Sequence, residues 1–362
     1  MVLIFSILLM SGITAGQVFD CPWGREAIAL ITSVCLAYIM IEVGLEFSVD
    51  KREMKSYGWD AVVASVAAIL PVVLWFFYFM FILQGPWRPA LLAGLSAAPT
   101  SAGVLFTMMM AAGLSATWVF KKARTLAVLD DLVTILLLTP LQIIIHGFEW
   151  RSVVVLVLIM LFLFVAFRWQ NSVHWPFGQM WLLGYAVILT ALVFLIRNKM
   201  DIHLEVLVPA FMWGCLARLP SQKHSPAPPA QSLGLDTIVK GLFMFLVGFS
   251  FPKISLGSVP WQTTFGHVLI LTLLSNLGKS FTVLCYRRKI SLRERWALSF
   301  AMFPRGEVGA AVLLIGLGYG FGGYVSNLVM LSLALNLVLT GIFIWIVIKL
   351  LNQNERASCV KS

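Results

Sequence analysis

Asp130 and Asp131 lie side by side in TLAVLDDLVTILLLTPLQIII, an apolar run long enough to span a membrane as a helix. An aspartate at the centre of such a helix is disfavoured by roughly 2.5–3.5 kcal/mol. Two neighbouring carboxylates also repel each other, so one carries a proton unless a cation sits between them. The chemistry this pair points to is exchange of protons for metal ions at one buried site.

A lysine lies at matching depth. The run HVLILTLLSNLGKSFTVLCY places Lys279 beside Ser275 and Asn276. Lys279 is eight residues before Arg287 and Asp131 is seven beyond Arg124, where both arginines mark the same membrane face. At about 1.5 Å per residue, both groups sit about 10–12 Å in from that face. Eight residues is a long reach for snorkelling, so an ion pair with the carboxylates is the favoured reading. If Na+ neutralises the carboxylate, the lysine loses its partner and can release a proton. Cation and proton then compete without occupying the site together.

These residues need a membrane fold around them, and the composition supplies it. The chain has 362 residues, of which 60% are hydrophobic and only 12% charged, and its mean hydropathy is +0.92. Soluble domains carry about 25% charged residues, so this is an all-α polytopic membrane protein in contact with lipid. The net charge of +10 does not signal nucleic acid, because the basic residues occupy short loops between apolar runs. Cys21, Cys35, Cys215, Cys285 and Cys359 have no metal-ligand spacing and read as small buried hydrophobes. The opening MVLIFSILLMSGITAG lacks a basic region and reads as a short first helix rather than a cleaved signal.

At about 20 apolar residues per span, twelve helices are predicted. They cover residues 2–16, 26–48, 60–83, 88–113, 121–146, 150–168, 179–196, 203–218, 233–251, 264–287, 293–318 and 326–350. The loops after even-numbered spans, with the C-terminal end, hold most of the 26 basic residues, concentrated in DKREMK, KKAR and RRKISLRER. The positive-inside rule makes those loops and both termini cytoplasmic. The segment ARLPSQKHSPAPPAQSLG after the eighth span cannot continue a helix and is a linker. On the ninth span, Asp236 and Lys240 are four apart and are expected to pair; Glu42 on the second reads as a packing or access residue.

Two spans carry a proline near mid-membrane. The fourth contains GLSAAPTSAGVL with Pro99, and the eleventh contains SFAMFPRGEVGAAVL with Pro304, each eleven residues beyond an arginine at the span's start. Proline removes a backbone hydrogen bond and clashes with the preceding turn, so both helices are expected to unwind there. Unwound backbone at that depth must be buried in protein or line a cavity. The two spans enter from opposite sides seven helices apart, which is the pattern of an inverted repeat, helices 3–5 against 10–12. Arg305 and Glu307 flank Gly306 and can compensate the exposed half-helix ends. The hydroxyls of Thr100 and Ser101 can either coordinate a cation or satisfy freed backbone, and both readings stand.

APTSAG, LAVLDDLV, NLGKSF and PRGEVGAAVL, in this order and spacing, resemble the monovalent cation:proton antiporter superfamily, in the branch of bacterial NapA- and NhaA-type sodium/proton antiporters. The resemblance runs from about residue 26 to residue 350. It implies that Asp131 is the principal ion-binding carboxylate, with Asp130 pairing to Lys279 when sodium is absent. Thr100 would sit close to the carboxylates at the crossing of the unwound chains, and Arg305, Glu307, Pro99 and Pro304 would support that crossing. The Asp-Asp form implies electrogenic exchange of cytoplasmic Na+ or Li+ for external protons across the bacterial inner membrane, without a cofactor. The implied bodies are scaffold or dimerisation helices in 1–59 and 176–255, a transport core in 60–147 and 256–350, a linker helix in 148–175 and a cytoplasmic tail in 351–362. A homodimer is implied too, with the expectation that this chain begins after an N-terminal helix that close relatives use at that interface.

Potassium/proton exchange on the same scaffold is the alternative, because cation choice depends on cavity geometry. A channel is less favoured: GLGYGFGG at 316–323 holds a GYG without filter context or pore helix, and reads as a glycine-rich turn. An intramembrane aspartyl protease needs two carboxylates facing each other from separate segments, and adjacent residues on a helix do not supply that. The protein is therefore expected to be no enzyme.

Overall fold

The computed structural model describes residues 2–19, 25–46, 54–101, 105, 109, 112–114, 116–146, 178–200, 206–216, 234–250, 261–287, 290–305, 307–318 and 322–359. Every regular element among them is helical: α1 (Val2–Val18), α2 (Arg25–Glu46), α3 (Met54–Phe77, ending in a π-helical turn, Tyr78–Ile82), α4 (Trp87–Ser96), α5 (Trp118–His146), α6 (Gln179–Met200), α7 (Leu207–Leu216), α8 (Leu235–Phe249), α9 (Trp261–Lys279), α10 (Thr282–Cys285), α11 (Leu292–Ala301), α12 (Glu307–Gly318) and α13 (Tyr324–Cys359). Stretches Gly58–Ile82, Gln179–Ile196, Trp261–Cys285 and Tyr324–Leu351 are each long and apolar enough to cross a membrane. The protein is a polytopic helical membrane protein. The expected helix at 150–168 and the linker after the eighth span lie outside the described residues, apart from Gly234 at the linker's end.

The chain divides into two compact units. The first comprises Met1–Met10, Lys55–Thr134 and Phe251–Ser362. Within it, α9 reverses the pattern of a soluble amphipathic helix. Thr264, Thr272, Ser275, Asn276 and Lys279 are buried, while Phe265, Leu269, Leu273 and Leu277 are exposed. In a bilayer an outward apolar face needs no cover, and buried polar groups find partners on neighbouring helices. α13 supplies them at a constant offset. Thr264 meets the Tyr324 hydroxyl at 3.5 Å, Thr272 meets Ser332 at 3.0 Å, and Asn336 donates to Asn276 at 3.2 Å. Residue n of α9 thus faces residue n + 60 of α13, so the two helices run parallel in one locked register.

α3 packs on α9 in the opposite direction. Trp75 Nε1 donates to the Leu271 carbonyl at 2.8 Å, and the Tyr78 hydroxyl lies 2.6 Å from His267 Nδ1. Gly278 lies so close to the Pro71 ring that a Cβ there would stand 2.8 Å from it.

The second unit comprises Ser11–Met54 and Ile135–Ser250. Its α2 and α7 meet backbone to backbone, where Gly44 and Gly214 face each other. A Cβ at Gly44 would run into the Phe211 carbonyl and one at Gly214 into the Ile41 carbonyl. Small residues that let helix backbones touch in this way are the usual membrane packing device. Gly214→Val is accordingly expected to cut the amount of monodisperse protein recovered from membranes severalfold, measured by gel filtration. Gly184→Val, where no atom lies within 4 Å of an added Cβ, should leave it unchanged.

Lys240 binds Asp236 at 2.8 Å as the spacing predicts, and it also binds Glu42 at 2.8 Å. Glu42 is thus an ion-pair partner joining α2 to α8, a role its lone position in α2 did not reveal. Cys35 and Cys215 are buried and Cys285 is half-buried, all as free thiols.

The tenth and twelfth spans differ from the expected ones. The tenth is interrupted, with α9 stopping at Lys279 and α10 resuming at Thr282. The twelfth continues past residue 350 to Cys359, where Gln353, Glu355, Arg356 and Ala357 favour a helix and no glycine or proline stops it. The glycine-rich turn includes Gly323 at φ +80°, a left-handed conformation that glycine adopts without steric penalty.

Candidate functional site

The site is built in the first unit, where two half-helices stop in the same way. α4 and α11 are each ten residues long, and their C-caps, Ala97 and Met302, have nearly identical backbone angles, φ −84°, ψ −8° and φ −88°, ψ −1°. Both tighten into i−3 hydrogen bonds as they end, Ala97 to Gly94 at 3.0 Å and Met302 to Ser299 at 3.0 Å. Pro99 and Pro304 each stand three residues past the last helical residue, where the missing N–H and the ring forbid a further turn.

Unwinding leaves backbone polar groups that need partners, and the two breaks supply one another. Ser101 N–H donates to the Pro304 carbonyl at 2.8 Å. Arg305 is 1% exposed; its Nη1 reaches the carbonyls of Ala98 at 3.3 Å and Pro99 at 3.2 Å, and its Nη2 donates to the Ser275 carbonyl at 2.9 Å. One guanidinium fork thereby ties the first break to the second and to α9. Gly309 allows the closeness, since a Cβ on it would stand 2.7 Å from the Ser96 carbonyl.

Beside this crossing lies the carboxylate. Asp130 Oδ2 accepts from Lys279 Nζ at 2.5 Å and from Thr100 Oγ1 at 2.8 Å. Thr100 Oγ1 also lies 3.2 Å from the Met302 carbonyl, so its single hydrogen has two acceptors to choose between. Asp130, Asp131, Lys279 and Thr100 are all 0% exposed. Lys279 is the last residue of α9, where the negative end of the helix dipole favours an ammonium. Asp130 Oδ1 has no hydrogen-bond partner among the described residues. Asp131 follows about 100° further round α5.

The structure therefore brings together Thr100, Asp130 and Lys279, and it joins Pro99, Pro304 and Arg305 into the crossing beside them. The Glu307 side chain lies outside the described residues; its backbone opens α12. Asp60 escaped the reading of the sequence. It is 2% exposed, and its carboxylate binds Lys122 Nζ at 2.7 Å and the Tyr286 hydroxyl at 2.6 Å. Its place at the first residue of an expected span makes it resemble an interfacial charge. The signal that distinguishes it is Lys122, a basic residue at the corresponding end of another span.

The transmembrane sodium/hydrogen exchanger family matches residues 2–351, nearly the whole chain. The chain belongs to the sodium/hydrogen exchanger family. Among solved structures, that of the sodium proton antiporter MjNhaP1 from Methanocaldococcus jannaschii at pH 8 superposes with a TM-score of 0.64 at 14% identity, covering 96% of this chain and 92% of that one. The electron-microscopy structure of the same antiporter gives 0.59 at 15% identity, covering 94% and 90%. At such identity the likeness is one of fold. No curated protein sequence matches the chain. Membership in this exchanger family makes the protein an integral membrane transporter of the cation/proton antiporter type.

Proposed function

We propose that the protein exchanges cytoplasmic Na+ or Li+ for external protons by alternating access, with Asp130, Asp131 and Lys279 as the exchange site. The observation that carries this reading is the fully buried Lys279–Asp130 ion pair at 2.5 Å next to a second buried carboxylate. In this arrangement the ammonium occupies a carboxylate oxygen that a dehydrated cation would need. Arrival of Na+ at Asp131 and Asp130 expels the proton that Asp131 holds and displaces Lys279, which releases its own; departure of Na+ lets the carboxylate and the lysine take back one proton each. The Thr100 hydroxyl and the free Oδ1 of Asp130 offer further oxygens of the kind that hard cations take.

The core of 60–147 and 256–350 carries the site and moves against the scaffold of 1–59 and 176–255, linked by 148–175, in a homodimer whose termini face the cytoplasm of a bacterial inner membrane. Arg305, Glu307 and the prolines keep the crossing intact during that motion. Because lysine and carboxylate together exchange more proton charge than one Na+ carries, the cycle is electrogenic. Each net charge moved is worth about 2.3 kcal/mol per 100 mV, which lets a respiring cell expel sodium against its gradient.

The test uses everted vesicles from cells lacking their own antiporters, acidified inside and followed with a pH-sensitive dye. Na+ or Li+ is expected to dissipate the gradient. A response to K+ alone would replace this reading by potassium/proton exchange, and no response to any of the three would contradict antiport. In proteoliposomes, Lys279→Gln is expected to remove the dependence of Na+ uptake on an imposed membrane potential, measured as the ratio of initial rates with and without a potassium-valinomycin potential.

A further inference from the structure

Both oxygens of Asp60 are taken by side chains from different elements. Lys122 Nζ on α5 reaches one at 2.7 Å, and the Tyr286 hydroxyl beyond α10 donates to the other at 2.6 Å. The partners also meet each other, with Lys122 Nζ 5.6 Å from the centre of the Tyr286 ring and Trp118 packed edge-on to that ring at 5.6 Å. The resulting cluster joins α3, α5 and the end of α10.

Its position relative to the exchange site is informative. Lys122 lies eight residues before Asp130 on continuous α5, which is about two turns. Tyr286 lies seven residues after Lys279, on the same chain but across an interruption. α9 ends at Lys279, residues 280 and 281 form a turn, and only Thr282–Cys285 are helical again. A continuous helix does not hold Lys279 from that side. Before the interruption, α3 braces α9 through Trp75, Tyr78 and Pro71; beyond it, the Asp60–Tyr286 bond ties the chain to α3 again. Arg295 Nη1 steadies the same short segment by donating to the Val283 carbonyl at 3.1 Å. Asp60 thus fixes two distances at once: α5 through Lys122, and the chain that leaves Lys279 through Tyr286.

We propose that Asp60, Tyr286 and Lys122 form a positioning clamp that holds Lys279 against Asp130 and so sets how strongly the lysine competes with the transported cation. This rests on the exchange reading given above. Loosening the clamp weakens the lysine as a competitor, so cations bind more readily while the cycle slows, because reloading of the lysine is less well directed. A mere fold anchor would do neither; its loss would lower only the amount of folded protein.

Purified wild type, Asp60→Asn, Tyr286→Phe, the double variant and Asp60→Glu would be compared in proteoliposomes at one pH, with half-saturating Na+ and maximal rate measured per folded protein. Tyr286→Phe keeps the ring and removes only the hydroxyl, which guards against simple misfolding. The expected result is a fall in half-saturating Na+ of about fivefold in Tyr286→Phe and in Asp60→Asn, within the range that packed networks transmit. The double variant should go no further than Asp60→Asn, since the residues act as one unit, and Asp60→Glu should recover part of the shift. An unchanged or raised half-saturation in a wild type that exchanges Na+ would overturn the clamp alone, as would strictly additive effects. A wild type that exchanges no cation would overturn the exchange reading and the clamp with it.

Discussion

Asp131→Asn is expected to abolish Na+-driven and Li+-driven proton movement, by ~100-fold, the upper end of what metal sites lose when only an outer-shell partner of a ligand is removed. Asparagine is nearly isosteric and can still offer one carbonyl oxygen, so the cavity keeps its shape. What disappears is the negative charge and the proton that charge can hold. A dehydrated monovalent cation then faces a single buried carboxylate, Asp130, already engaged by Lys279 and Thr100. The same substitution should hold or raise the melting temperature of the purified protein, because it removes a buried ionisable group beside Asp130. Loss of transport together with undiminished stability separates this outcome from misfolding. Ion-driven dequenching in vesicles and thermal unfolding in detergent measure the two halves.

Arg305→Met is expected to have the largest effect on stability, about 3–5 kcal/mol. Methionine fills a similar volume, yet it leaves the carbonyls of Ala98, Pro99 and Ser275 without their donor. Those groups are unwound backbone or helix carbonyl at membrane depth, with no water to replace the guanidinium. Arg305→Lys should recover less than half of the loss, since one ammonium cannot span three acceptors on two segments as a planar fork does. A fall in melting temperature of at least ~5 °C is the expected readout, with the lysine variant between methionine and wild type.

How far these residues could be read without a structure depends on the kind of signal each leaves. Pro99 and Pro304 act on their own chain, so their local chemistry alone predicts where α4 and α11 stop. Asp130, Asp131 and Lys279 are conspicuous because charge within an apolar run has few explanations, and counting from flanking arginines places two of them at one depth. Contacts between helices leave no such trace. That Arg305 serves the carbonyls of the other break, rather than only the ends of its own, depends on two distant segments touching. Asp60 falls at the edge of a run, where an aspartate is ordinary, and only the approach of Lys122 and Tyr286 shows it to be buried. The stop at Lys279 is equally hidden, because NLGKSF contains no proline and its glycine is tolerated within a helix. Gly278 is there to let α9 meet Pro71 of α3, a packing reason that a single chain of letters does not display.

A cation that displaces Lys279 from Asp130 releases the proton the lysine carries. The most direct measurement is proton release on adding Na+ to purified, weakly buffered protein in detergent, followed by a pH indicator, for wild type and Lys279→Gln. Wild type is expected to release more protons per bound Na+ than the variant, the difference being the proton that the lysine carries. Equal release from both, with Na+ binding in each, would show that Lys279 keeps its proton through the cycle and would rule out displacement of the lysine by the cation.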